Sequence, residues 1–265
     1  MNQALISYTI HLADNSLVLG HRNSEWCGHG PVLEQDIAIT NISLDLIGQA
    51  RYFYQYAADL MNQGCLSIPG HAGPVNEDVI AYLRREREYR NCLLVEQPNG
   101  DWAQTIFRQF LFSLYQELLY GELQHSRDEQ LAAIAAKSLK EVAYHVRWAS
   151  EWVIRLGDGT EESRTRMFRA MDSLWMYSGE LFEPASYESE MAAPGIAPDL
   201  VPLKPRWEQK IREVLEEATL NSDFAGGAAS GYMQRGGKDG RHTEYLGYIL
   251  ADLQYLQRAY PGCEW

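Results

Sequence analysis

The sequence is poor in several features that would fix a function. Among its 265 residues only four cysteines occur, Cys27, Cys65, Cys92 and Cys263, and no two stand at C-x-x-C spacing. Such scattered thiols exclude a disulfide framework and suit a reducing cytoplasm. Cationic residues are outnumbered, 23 Lys and Arg against 36 Asp and Glu, leaving a net charge of -13. Phosphate binding needs a basic face, so neither nucleic acid nor an anionic membrane surface is an expected partner. The clusters Arg84, Arg85, Arg87, Arg90 and Arg164, Arg166, Arg169 read as solvated helix faces. No apolar run is long enough to cross a bilayer. Met1-Asn2-Gln3-Ala4 lacks the charged and apolar parts of a secretory signal. A soluble, cytoplasmic protein is expected. Strand-period alternation, internal repeats and a G-x-S-x-G nucleophile elbow are also missing. Gly226-Gly227 and Gly236-Gly237-Lys238 follow no strand, which argues against dinucleotide and phosphate loops. Cys27-Gly28-His29 has no companion pair at zinc spacing.

What is present is helical period. Hydrophobic residues make up 46% of the chain, with 16 Tyr and 7 Trp, enough for a sizeable core and partner-facing surface. From Pro31 to about Met61, Ile39, Ile42, Leu46, Ala50, Phe53, Ala57 and Leu60 recur at steps of three and four. Leu33, Ile37, Leu44 and Ile47 add a second apolar side, so this helix is expected to be central. Gly30 as cap, Pro31 at the first helical position and Glu34 in the first turn mark its start. At ~1.5 Å per residue it reaches roughly 45 Å. A shorter helix over Leu5–Leu19 precedes it.

A Gly- and Pro-containing loop at 64–76 and short helical pieces follow. Asp101, three residues before Gln104, opens a helix carrying Phe107, Leu111, Leu114 and Leu118. The next begins near Glu129 with the cleanest stripe: Ala135, Leu139, Val142, Val146, Ala149, Val153 and Leu156. Its end at Gly157-Asp158-Gly159 suggests a left-handed glycine C-cap. Thr160 starts a helix to about Phe182. Five prolines between Pro184 and Pro205 read as a surface loop. Trp207–Leu220 and Thr243–Tyr260 are helices, separated by a Gly-rich connection over 221–241. With no boundary signal between them, the elements predict one domain over 1–265. The fold class is all-α, a ferritin-like four-helix bundle with additional N- and C-terminal helices.

Such a bundle invites a search for a carboxylate-bridged metal pair, which needs Glu from two helices and Glu-x-x-His from two others. Residues three apart share a helix face and can reach one metal. The one literal Glu-x-x-His is Glu122-Leu123-Gln124-His125, beside the polar Ser126-Arg127-Asp128, where surface salt bridging fits better than ligation. Lys140 beside Glu141 sets that carboxylate toward a polar face. His145 lies at the edge of the apolar stripe, where a hydrogen-bonded core histidine is the commoner reading. Asn41, Asp45 and Gln49 form a line that suits either a buried network or a polar face.

Several runs resemble the PaaC family, the structural subunits of bacterial phenylacetyl-CoA epoxidases. They are Glu25-Trp26-Cys27-Gly28-His29, Leu44 to Arg51, Leu94 to Gly100, Lys140-Glu141 with Tyr144-His145, Gly236-Gly237-Lys238, His242-Thr243-Glu244 with Leu246-Gly247, Gln254 to Arg258, and the closing Pro261-Gly262 with Trp265. The match runs nearly end to end, with 64–76 as an addition. The resemblance implies a ferritin-like fold shared with the family's catalytic sister, PaaA, which holds a diiron centre. It places the sister's two Glu-x-x-His motifs on Leu46 with Gln49 and on Val142 with His145. The other two carboxylates fall near Ser16 and Ser113. On that placement only His145 keeps a ligand type. No catalytic residue, cofactor or metal is expected in this chain, and the diiron centre belongs to the partner. The implied role is to support PaaA within a complex that uses O2 and reducing equivalents to epoxidise the ring of phenylacetyl-CoA. PaaA and the other epoxidase components are the expected partners, with a homodimer also possible. The alternatives are a diiron oxygenase or ferroxidase using Glu122, His125, Glu141 and His145, and a free-standing homo-oligomeric scaffold.

Overall fold

A computed structural model describes residues 3–220, 231–261 and 263. The fold is all-α, as expected, and consistent with a ferritin-like bundle; among the described residues there is no strand. None of their helices is long and apolar enough to cross a membrane. The chain divides into two compact units. One comprises Met1–Glu96, Ala185–Met191 and Gly236–Trp265, the other Gln97–Pro184 and Ala192–Arg235.

The first unit is built on α1 (Gln3–Ser24) and α2 (Leu33–Gln63). They run antiparallel, since Gly20 meets Leu46 and Ile47 while Asp14 meets Tyr54. A methyl group on Gly20 would lie 3.1–3.2 Å from those two side chains, so glycine sets how closely the helices approach. Short helices α3 (Glu77–Leu83), α4 (Leu93–Glu96) and α8 (Ser186–Ala192) join them, with α10 (Glu244–Ala259) near the chain end. Ile39, Ile42, Leu46, Ala50, Phe53, Ala57 and Leu60 are buried, as their spacing predicts.

Two expectations for α2 fail. Its first residue is Leu33, not Pro31, because the Gly30 N–H donates to Asp36 Oδ2 (2.9 Å) and holds 30–32 outside the helix. Val32 occupies the N-cap and offers no side-chain acceptor. The second apolar side is not core either: Leu33, Ile37, Leu44 and Ile47 are exposed. Along the polar line, Asn41 is exposed, Asp45 half-buried and Gln49 fully buried, so the line runs from surface into core.

The second unit is organised by α5 (Trp102–Leu123) and α6 (Glu129–Gly157), with α7 (Glu161–Leu174) and α9 (Leu203–Glu217). The Trp102 ring packs edge-on against Trp148 and Trp152, at 6.0 and 5.8 Å between centroids, so the start of α5 faces the end of α6. The start of α5 is the predicted one, with the Gln104 N–H donating to Asp101 Oδ1 (3.0 Å). Thr160 caps α7 by accepting from the Ser163 N–H (3.1 Å). Trp207 of α9 donates from Nε1 to the Leu111 carbonyl (3.0 Å) and stacks on Trp175.

The core face of α6 is turned slightly from the predicted stripe. Ser138 and His145 are buried, while Leu139, Val146 and Leu156 are half-buried. The glycines ending α6 are also needed for a different reason than expected. Asp158 is the C-cap and neither Gly157 nor Gly159 is left-handed. A methyl on Gly157 would instead fall 2.5 Å from the Ala218 carbonyl oxygen. The supposed surface loop 184–205 contains α8, whose Tyr187, Glu188 and Met191 are buried, and α9 begins within it.

Candidate functional site

The six positions singled out by the resemblance are all fully buried: Ser16, Leu46 and Gln49 in the first unit, Ser113, Val142 and His145 in the second. Ser16 turns its hydroxyl back to the Leu12 carbonyl (3.2 Å), and Ser113 Oγ accepts from Gln109 Nε2 (2.7 Å). Leu46 and Val142 continue the apolar stripes of α2 and α6. Two hydroxyls, an amide, an imidazole and two aliphatic groups do not fit a carboxylate-bridged metal pair. Among the described residues no group of three or more His, Cys, Asp or Glu could hold a metal ion.

The residues of the alternative reading do not converge. Glu122 pairs with Arg206 (2.7 Å) where both side chains are about half exposed, beside a surface hollow of about 390 Å³ that His125 also lines. Glu141 is half-buried, whereas His145 lies in the interior with its ring 6.3 Å from that of Tyr144. Cys27 is exposed, and none of the four cysteines forms a disulfide. Gly226-Gly227 lies outside the described residues.

The densest polar chemistry sits elsewhere, in the first unit, on one face of α1. Asp14 is fully buried and accepts four hydrogen bonds: from Arg84 Nη1 (3.0 Å) and Nη2 (2.5 Å), Tyr54 Oη (2.5 Å) and the Arg90 N–H (2.7 Å). The Arg84 fork also donates to the Ile80 and Glu88 carbonyls and lies over the Tyr89 ring at 4.2 Å. Arg84 was expected on a solvated face. It is buried because Asp14 and these carbonyls replace its hydration. Burial, then the Asp14 charge, pushes the Tyr54 hydroxyl well above its usual range, and burial carries Tyr89 to about 12.

One turn away, His11 Nδ1 meets the Arg90 carbonyl (2.7 Å), which can only accept, so Nδ1 carries the proton. Its Nε2 then accepts from Asn15 Nδ2 (3.2 Å), and the Asn15 carbonyl oxygen takes the Cys92 N–H (2.8 Å). Burial lowers the His11 pKa against the opposing pull of Glu188, 3.5 Å from Nε2, which fits a neutral ring. Glu188 pairs with Lys238 (2.9 Å) and accepts the Ala185 N–H (2.8 Å). Burial would raise its pKa, but the Lys238 charge and that N–H draw it down. Lys238, in the Gly-rich connection, is therefore buried; Arg235 and Arg241 are largely exposed.

Glu96 anchors a third cluster. Its carboxylate accepts from Asn91 Nδ2 (2.9 Å), the Thr243 N–H (2.6 Å), Thr243 Oγ1 (2.8 Å) and His242 Nδ1 (3.0 Å). His242 Nε2 faces the Tyr89 carbonyl (3.0 Å), so both ring nitrogens face acceptors. Burial opposes the charged ring, but the Glu96 hydrogen bond and charge outweigh it, and the His242 pKa is raised. Arg22 clasps the Glu96 carbonyl from Nε and Nη2, each at 3.1 Å.

Every acid in these clusters is matched by a cation or several donors and none is open to solvent, so the network locks backbone segments together rather than offering a free acid or base. Sequence reasoning missed it. The available signal was His11, Asp14 and Asn15, at i, i+3 and i+4, interleaved with the apolar Ile10, Leu12, Ala13 and Leu17.

A family model described as "Phenylacetic acid catabolic protein" matches residues 1–265. The chain is 46% identical over 265 residues to the C subunit of the 1,2-phenylacetyl-CoA epoxidase of Escherichia coli (strain K12), covering 100% of each.

Proposed function

We propose, from the premise that this chain belongs to the phenylacetic acid catabolic protein family, that it is the non-catalytic structural subunit of a phenylacetyl-CoA epoxidase. In that role it supports the diiron catalytic subunit, the PaaA of the family, in the cytoplasm, and holds no metal of its own.

One observation carries the reading. The positions onto which the resemblance places the sister's ligands are buried and hold Ser16, Leu46, Gln49, Ser113 and Val142, with His145 alone of a ligand type. Carboxylates packed in a helical interior are tolerable only while a metal or protons neutralise them. Neutral and apolar side chains need neither, so the interior stays stable without metal. The charged network on α1 is self-neutralised and adds rigidity, which suits a supporting subunit.

Metal analysis after anaerobic iron(II) loading tests this directly. Iron far below one atom per chain is expected, whereas about two bound irons would establish an oxygen-activating site in this chain and overturn the proposal. Co-expression with the catalytic subunit tests the partnership: the two should elute together through affinity and sizing steps.

A further inference from the structure

The exposed side of α2 has its own spacing. Leu33, Ile37, Thr40, Leu44 and Ile47 advance by four, three, four and three. The four apolar members remain 72, 52, 62 and 40% exposed. An alternation of four and three is how one helix presents a seam to another, each side chain entering a hole between four residues of its neighbour. α2 thus carries two seams, one buried and one largely bare, in which Thr40 is half-buried and Ile47 also touches Gly20 of α1. Gly48, beside Ile47, adds a notch: a methyl built there meets nothing within 4 Å. The bare seam covers fifteen positions, about 21 Å of helix.

Charge narrows the occupant. Residues 31–50 contain Glu34, Asp36 and Asp45 and no Lys, Arg or His. The first cation beyond them, Arg51, is bonded to Glu77 at 3.1 Å. A second copy of this chain would set three acids against three, in molecules already at -13. A helix with an apolar four-three seam and flanking Lys or Arg meets no such opposition.

We infer that the Leu33–Ile47 seam is a docking strip for a long amphipathic helix with basic flanks, contributed by the catalytic subunit of the epoxidase. The identity of that partner rests on the function proposed above; the chemistry of its helix follows from the seam itself.

The test uses the full chain and the catalytic subunit, with affinity measured by titration and mass by light scattering. Ile37→Ser/Leu44→Ser should leave helix content and melting unchanged, since both sites are exposed, and weaken the complex by more than about tenfold. Tyr248→Ala/Tyr255→Ala, on an exposed face of α10, should bind as wild type does. Added salt should weaken the wild-type complex. If the Ser double variant binds undiminished, the strip is wrong while the partnership stands. Failure of the wild-type chain to bind the catalytic subunit would remove the partnership and the strip with it. A wild-type homodimer that the double variant dissolves would assign the seam to a second copy and overturn the inference, and affinity indifferent to salt would overturn the basic flanks.

Discussion

Val142→Glu creates a Glu-x-x-His pair with His145 on α6, and its cost can be worked from the structure. Val142 is fully buried, and its neighbours on the core face of α6 are Ser138, His145 and Ala149, none of them a fixed cation. Holding a buried carboxyl protonated at neutral pH, against an ordinary pKa of ~4.3, costs about 3.7 kcal/mol at ~1.36 kcal/mol per unit. Forcing the longer side chain into a filled core adds about 1–3 kcal/mol. The total, about 5–7 kcal/mol, consumes much of the ~5–15 kcal/mol that holds a typical domain together. The introduced acid has its folded pKa raised above the unfolded one. The loss is therefore smallest below about pH 4 and grows as pH rises, at up to ~1.4 kcal/mol per unit until the folded pKa is passed. Urea denaturation of wild type, Val142→Glu and Val142→Gln at several pH values reads both parts. The Gln variant should show the packing loss without the pH slope. A midpoint for Val142→Glu equal to wild type at neutral pH, or a loss that ignores pH, would refute a closed, uncharged interior at this position.

Three other perturbations probe the remaining structure. Asp14→Asn removes the charge that Arg84 is buried against, and should destabilise the chain by about 3–5 kcal/mol in chemical denaturation. His242→Gln tests the Glu96 cluster through its pH dependence. Because the folded pKa of His242 is raised, its contribution is full below the unfolded value of ~6.5 and is lost as pH rises through the folded value. The variant should therefore lose more stability at about pH 6 than at about pH 9; an equal loss at both would show that the imidazolium is not the stabilising species. Gly157→Ala places a methyl against the Ala218 carbonyl and should lower the thermal midpoint at a cost of about 1–3 kcal/mol.

Much of the helical architecture is legible in the amino-acid order because its determinants are local. Asp101 and Thr160 cap helices through N–H groups three residues ahead, and the buried seam of α2 repeats within single turns. The exposed seam is equally legible as a pattern, but a pattern cannot say whether something covers it. The same limit explains Ser138 and His145, which displace Leu139 and Val146 from the core face by a small rotation of α6 that composition does not encode.

The buried charges were decided by tertiary structure alone. Asp14 finds Arg84 across 70 residues, Glu188 finds Lys238 across 50, and Glu96 finds His242 across 146. Read singly, Arg84 and Lys238 belong on a surface and Glu188 in a Pro-rich loop, because an isolated charge is cheapest in water. Folding reverses that preference only by delivering a counter-charge and enough donors to the same point, and such a meeting is a property of the packed chain. The sequence by itself determined which stretches are helical and which faces are apolar. Where the ions went depended on what each helix met.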